Sequence, residues 1–337
     1  MSLHTVLKIG NFPVRMPSGP ACSAAGGTVA VVLGMDFGGT KIALAVCDLG
    51  GRCLAQQVFP TCPGDGGDAV LERGIAAGRA LLARIEESCE LAAVGVSTIG
   101  IPRENRVELA PAIPGWEHVS LGSSLAAAFA VPVKVATDVK AAATAEVRWG
   151  ALVGSDPAIY LNLGTGLAVA IVVGGHVLEG AHGASGEIGY NLVDASHVGL
   201  EIGSRPMLEN TVSGMGLSVN GSRLLGRPVT AEQVFGAGPV DPELDTMVAA
   251  LIGELSTHLV NLVIAVDPAR VAIGGGMVRS WERLHGPLDQ ALKSGVPFPP
   301  DLVLAAYPFD APLVGALALG AEAAGVGMVR GARLPAT

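Results

Sequence analysis

Aromatic side chains make up only 4% of this 337-residue chain and charged ones only 15%. Large aromatic clusters are therefore not expected; 47 glycines favour close helix–sheet contacts and tight turns instead. No lysine-rich run offsets the net charge of −9, so the chain has no electrostatic footprint for nucleic acid. No stretch reaches the ~20 unbroken apolar residues of a membrane span. Nor is there a disulfide framework. The five cysteines (Cys22, Cys47, Cys53, Cys62 and Cys89) form an odd set with no regular spacing, which points to reduced thiols and a cytoplasmic protein. Residues 1–27 carry Lys8 and Arg15, while Pro13, Pro17 and Pro20 break any apolar run. They read as an N-terminal extension and not as a secretory signal.

Half of the residues are apolar, and the length suits two lobes better than one compact core. Val29–Met35 predicts a strand that runs into Asp36 and the glycines Gly38 and Gly39. Strands over Ile42–Val46 and Leu54–Val58 follow, joined by the turn residues Asp48-Leu49-Gly50-Gly51. A helix is expected after Asp68 as N-cap, with Val70, Leu71, Ile75, Leu81, Leu82 and Ile85 on one face. Strands at Ala93–Ser97 and Val133–Ala136 complete a β-β-β-α-β-α-β outline.

That pattern then recurs. Ala158–Leu163 ends in Gly164-Thr165-Gly166, Ala168–Val173 reaches Gly174-Gly175, and Val177–Glu179 returns. A long helix is expected from Asp245 to Val266, stopped by Asp267-Pro268. Val271–Ile273 enters Gly274-Gly275-Gly276, and Pro312–Ala324 predicts a helix of small residues. The recurrence is a duplication of form without repetition of residue identity.

One glycine turn after a strand is weak evidence, but three in this order are specific. Polyphosphate oxygens approach backbone N–H groups closely, and a Cβ obstructs that approach. Thr40 and Thr165 can add hydroxyl donors, and Asp36 at a strand end can hold Mg²⁺ through water. Asp138 follows another strand end, where it could act as a base or cap the helix that begins after it.

Asp36-Phe37-Gly38-Gly39-Thr40-Lys41 resembles the first phosphate motif of the ROK family of repressors, open reading frames and kinases. Leu163-Gly164-Thr165-Gly166 resembles its second phosphate motif, and Asp267-Pro268 with Gly274-Gly275-Gly276 its adenosine motif. The resemblance extends through Pro111–Trp116, Gly183–Tyr190, Leu208-Glu209-Asn210 and Gly315-Ala316, from about Val29 to Ala324. It implies an α/β, two-lobe actin-like ATPase (ribonuclease H-like) fold with a mixed sheet in each lobe. An N-terminal lobe over 28–136, completed by a C-terminal helix over 312–330, would face a C-terminal lobe over 137–311 that carries nucleotide and sugar contacts.

The implied activity is ATP- and Mg²⁺-dependent phosphorylation of a hexose or hexosamine hydroxyl, the 6-OH being the expected acceptor. Asp138 matches the catalytic base. Thr137, Asp138, Glu187, Tyr190 and Glu209 match positions that face the sugar. Gly38, Gly39, Thr40, Lys41, Gly164, Thr165, Gly166, Gly274, Gly275 and Gly276 match those that face the nucleotide. A homodimer is implied, with no nucleic-acid or membrane partner. Repressors of the family carry a DNA-binding domain, whereas residues 1–27 show no helix-turn-helix pattern.

The chain departs from the family pattern at instructive places. Many members carry a cysteine cluster that binds structural zinc together with a histidine. Here Asn191 to Leu208 has no cysteine and Tyr190 stands at the histidine position, so no zinc is expected. His176, His182 and His197 read as loop histidines. The family's Asn-Asp pair appears as Thr137-Asp138, and its Pro-Asn as Pro111-Ala112. Losing polar groups that read a substrate changes discrimination sharply, so an amino sugar such as kanosamine or N-acetylmannosamine is expected beside a glucose-like acceptor. A catalytically silent sugar-binding or regulatory homologue is the alternative, and polyphosphate the alternative donor.

Overall fold

The computed structural model describes residues 28–236 and 241–326. The extension at 1–27, Cys22 and residues 327–330 of the expected C-terminal helix lie outside the described residues.

The chain runs β1 (Val29–Phe37), β2 (Lys41–Asp48), β3 (Cys53–Pro60), α1 (Gly67–Leu82), β4 (Cys89–Thr98), β5 (Ile101–Pro102), β6 (Val107–Glu108), α2 (Leu121–Phe129), β7 (Val133–Thr137) and α3 (Asp138–Trp149). It continues through β8 (Ala158–Leu163), β9 (Leu167–Val173), β10 (His176–Val177), α4 (Gly214–Leu225), α5 (Ala231–Gly236), α6 (Pro242–Val266), β11 (Arg270–Gly274), α7 (Trp281–Gly295), β12 (Asp301–Leu304) and α8 (Ala311–Ala323).

Two five-stranded mixed sheets result, in the orders β3-β2-β1-β4-β7 and β10-β9-β8-β11-β12. In each sheet the first three strands pair antiparallel and the remaining two join in parallel. The duplication of form in the sequence is thus a duplication of topology.

Strand alternation assigns the faces. On β1, Val31, Leu33, Met35 and Phe37 pack with Val70 and Leu81 of α1 and Leu125 of α2, while Val32 packs with Leu317 of α8. On β8, Ile159, Leu161 and Leu163 join the core of α6 and α7, while Ala158 and Tyr160 meet Val139, Ala142 and Ala143 of α3. Helices α3 and α8 pack on each other between the sheets.

Small residues make that layer possible. A Cβ on Gly95 of β4 would strike the Ala316 carbonyl and the Gly320 amide of α8, and one on Gly315 would strike the Ala141 backbone. Bulk is absent where backbones must touch, as the glycine-rich, aromatic-poor composition suggests.

Some local expectations need correction. Helix α1 begins at Gly67, and Asp68 lies in its first turn without capping it; there its charge still complements the helix dipole. Helix α6 begins three residues earlier than expected because Asp241 accepts from the amides of Glu243 and Leu244. It is long and apolar enough to cross a membrane by length and composition. Its Leu244, Val248, Leu251, Leu255 and Leu259 are nevertheless buried in the core with Leu284 and Leu288 of α7. The four described cysteines are all free.

Two substitutions test this packing. Gly95→Ala should lower unfolding free energy by about 3 kcal/mol in urea titration, since the obstacle is helix backbone and not a movable side chain. Gly253→Ala, on the exposed side of α6 with open space around it, should instead raise stability by up to about 1 kcal/mol.

Candidate active site

Asp138 is the first residue of α3, where β7 stops. The capping role weighed for it falls to its neighbour, since Thr137 Oγ1 accepts from the Lys140 amide at 3.3 Å. The Asp138 Oδ1 accepts from the amide of Val139, at 2.9 Å, and its carboxyl lines a cavity.

That cavity encloses about 210 Å³, below the ~300–1,000 Å³ usual for drug-sized ligands, and suits one small polar molecule. Thr137, Asp138, Glu187, Tyr190 and Glu209 all line it, so the structure brings every expected sugar-facing residue to one place. Pro111 also lines it. No lysine, arginine or histidine is among its lining residues.

Each carboxylate is held differently. Glu209 Oε2 accepts from the Leu167 amide at 2.8 Å, just past the second glycine turn. Glu187 ends a glycine-rich segment that Lys140 fastens to α3: the buried ammonium donates to the Glu179 carbonyl at 2.9 Å and to the Gly183 carbonyl. The stretch between Glu187 and Glu209 is tied by Arg205, which donates to the carbonyls of Tyr190 at 2.7 Å and Asn191 at 3.5 Å. Asn191 in turn meets His258 of α6 at 3.3 Å. Where the sequence lacks cysteines, a guanidinium and an imidazole join the segments.

The carboxyls are crowded and dry. Burial, with a smaller contribution from the charge of Glu209, pushes Asp138 up to about 6, against its bond from Val139. Burial and the charges of Asp138 and Glu209 push Glu187 up to about 7, while Lys140 opposes the rise. Asp36 rises to about 7, mainly through burial and then through Asp138, against a 2.8 Å bond donated by Ser97 Oγ. Burial, followed by Glu187 and Glu209, raises the Tyr190 phenol, which stays a neutral donor at physiological pH.

The glycine turns divide between two places. Gly164 and Thr165 of the second and Gly276 of the third line one neighbouring cavity with Met215, Phe235 and Arg279. The Gly164 and Thr165 carbonyls accept from Gly214 and Met215 at the start of α4. Gly275, at φ 94°, packs on the Leu163 carbonyl, which leaves no room for a Cβ. Gly38, Gly39 and Thr40 form the β1–β2 turn, Lys41 opens β2, and none of the four lines either cavity. They reach the site through Asp36, whose carboxyl senses the charges of Asp138, Lys41 and Asp310.

The residues fit a magnesium-bound polyphosphate. The Asp36 carboxyl, raised by burial and then by Asp138 and Asp310, would be relieved by a cation. The glycine turns present no Cβ to an approaching phosphate, although the amides of Gly38, Gly164 and Gly275 already donate to the carbonyls of Lys41, Gly166 and Pro308. Among the described residues no three His, Cys, Asp or Glu side chains cluster as ligands for a metal ion. Any such ion would therefore draw much of its shell from phosphate and water.

Sequence reasoning missed Asn162, Lys140, Arg205 and the α4–α5 wall. Asn162 carried a signal, because it is the one amide within the apolar run Ala158–Leu163. Lys140 acts through two backbone carbonyls and the Glu179 carboxylate, and Arg205 through backbone carbonyls, none of which spacing reveals.

A sequence profile of the ROK family matches residues 32–323. A ROK hexokinase structure from Thermus thermophilus is similar at 30% identity and TM-score 0.74, covering 88% of this chain and 100% of that one. A ROK family glucokinase from Streptomyces griseus, solved with glucose and AMPPNP, is similar at 28% identity and TM-score 0.69, covering 87% and 99%. Kanosamine kinase from Amycolatopsis mediterranei is 30% identical over 249 residues, 72% of this chain and 80% of its own length.

The raised carboxyls fix the sign of a pH dependence. If Asp138 acts as a base, which must be ionised, kcat/KM for the acceptor should level off only above about pH 8 and fall below it, as Glu187 and then Asp138 take up protons. Below pH 6 the decline should be steeper than one proton, as measured in steady-state assays from pH 5 to 9.

Proposed function

The chain belongs to the ROK family and has its two-lobe actin-like fold, and we propose on that footing that it is a sugar kinase whose catalytic base is Asp138. One observation carries the reading. The turn Gly164–Gly166 partitions two cavities, one lined by Asp138, Glu187 and Glu209, the other walled by Met215, Ala231, Phe235 and Met277. An acceptor on one side and a nucleoside on the other would meet at the turn.

In this reading Glu187 and Glu209 accept from sugar hydroxyls and fix the ring, since each carboxylate can serve two hydroxyls. Asp138 takes the proton of the attacking hydroxyl, expected to be the 6-OH, as its oxygen bonds to the γ-phosphorus and the bond to the bridging oxygen breaks. Magnesium-bound ATP supplies the phosphoryl group and offsets its charge. Backbone amides of Gly39, Thr165, Gly166 and Gly276 and the hydroxyls of Thr40 and Thr165 would cradle the phosphates. Gly38, Gly164, Gly274 and Gly275 shape the turns, the amides of Gly38, Gly164 and Gly275 being bonded to the carbonyls of Lys41, Gly166 and Pro308. Asp36 would hold the cation, and Lys41 adds positive charge at the first turn. The apolar wall of the second cavity favours a nucleoside over bare polyphosphate. We assign 28–136 with α8 to one lobe and 137–311 to the other.

The acceptor is read from charge. Three carboxylates with no basic lining residue favour a neutral or cationic sugar, and Ala112, Thr137 and Tyr190 replace groups suited to plain glucose. An amino sugar such as kanosamine fits best, and the similarity to kanosamine kinase supports it. N-acetylmannosamine, neutral and bulkier, is second.

The test is one panel: purified protein and Mg²⁺, ATP or polyphosphate, and glucose, mannose, kanosamine and N-acetylmannosamine, with phosphorylated sugar quantified. The expected outcome is ATP-dependent product, largest with an amino sugar. Far better turnover of glucose would contradict the acceptor assignment. Product with no pair would favour a silent sugar-binding homologue.

A further inference from the structure

Asp36 and Asn162 hold equivalent places in the two halves. Each lies on the central strand of its sheet, two residues before a glycine: Asp36-Phe37-Gly38 on β1 and Asn162-Leu163-Gly164 on β8. Each also lies on the strand face turned toward the space between the sheets. Asp36 shares that face with Val32, which packs on α8, and Asn162 shares its face with Tyr160, which packs on α3.

The two differ in what the parallel neighbour offers. Asp36 pairs with Ser97 of β4, whose hydroxyl donates to it. Asn162 pairs with Gly274 of β11, which has no side chain to answer. Among the described residues the Asn162 amide makes no hydrogen bond. It is wedged between glycines instead, with Oδ1 2.8 Å from where a Cβ on Gly275 would lie and Nδ2 3.2 Å from the same position on Gly164. It also lines the cavity that holds Asp138.

We propose that Asn162 is a further catalytic residue, its amide N–H donating to the phosphoryl group as that group passes from nucleotide to acceptor. The inference rests on the kinase reading above. An unpartnered amide between two phosphate-facing turns and the base stands where negative charge is in transit. The carboxylates lining the same cavity, Asp138, Glu187 and Glu209, bear only acceptors when ionised, and its other polar side chains, Thr137 and Tyr190, are hydroxyls. A neutral donor there adds attraction without pairing with and silencing the carboxylates. One well-placed donor of this kind is typically worth about 10²- to 10³-fold in kcat.

The experiment compares wild type with Asn162→Ala, Asn162→Ser and the isosteric Asn162→Asp, using turnover of the best acceptor, thermal melting and calorimetric binding of AMPPNP and ADP. The expected result for Asn162→Ala is a fall in kcat of about 10²-fold with acceptor KM changed less than about threefold. AMPPNP binding should weaken several-fold with ADP binding unchanged. Serine should restore part of kcat, and Asn162→Asp should fall below alanine because it swaps the donor for a charge. Equal weakening of AMPPNP and ADP, or an Asn162→Asp variant as active as wild type, would overturn the assignment while leaving the kinase reading intact. A wild-type protein that phosphorylates no acceptor would overturn the kinase reading itself.

Discussion

The side-chain alternation of two central strands is the constraint on which the rest depends. Because β1 and β8 are each buried on both faces, one residue in two must look outward to helices and the next inward to α8 or α3. The inward set is apolar until the strand ends, where Asp36 and Asn162 appear just before their glycine turns. A slip of one residue would bury both in the outer cores and leave the cleft without them. The close seating of α8 on Gly95 and of Gly315 on α3 holds the two inward faces toward each other. Packing at the centre of the molecule thereby sets the chemistry at its edge.

The site is electrostatically expensive. Asp36, Asp138 and Glu187 are all displaced upward, first by burial and then by neighbouring carboxylates. Such crowding disfavours the empty, fully ionised state, so a cation at Asp36 and hydroxyl donors at Glu187 and Glu209, as proposed above, would each relieve what the fold imposes. The same dryness gives Asp138 the basicity of a group near pH 6, closer to neutrality than an exposed aspartate and better matched to proton transfer. Lys140 donates to backbone carbonyls and to the Glu179 carboxylate, and Arg205 to backbone carbonyls, so both keep the acidic segments in register without entering the cavity.

The glycine turns of this arrangement were legible in the sequence because glycine marks positions where no other residue fits. Gly275 at positive φ against the Leu163 carbonyl is such a position. The strand alternation and the repeated β-β-β start were legible for the same reason, being set by local pattern. Helices α4, α5 and α7 were not, since their apolar faces are short or interrupted by glycine and proline: Gly216 and Gly221 in α4, Pro287 in α7. Asn162 was overlooked because its meaning comes from Gly274 on a strand more than a hundred residues later. Thr137 and Asp138 were found together, but only the structure separates the cap from the carboxyl that faces the cavity.

The central claim is that Asp138 moves a proton and does not merely hold the sugar. Asp138→Asn keeps the shape and removes the basicity. Calorimetry with the acceptor and turnover with ATP, performed on the same preparation, separate the two roles. The account predicts acceptor binding within a few-fold of wild type and turnover lower by about 10²- to 10⁴-fold. Turnover that survives the substitution, or is lost only in proportion to binding, would contradict it.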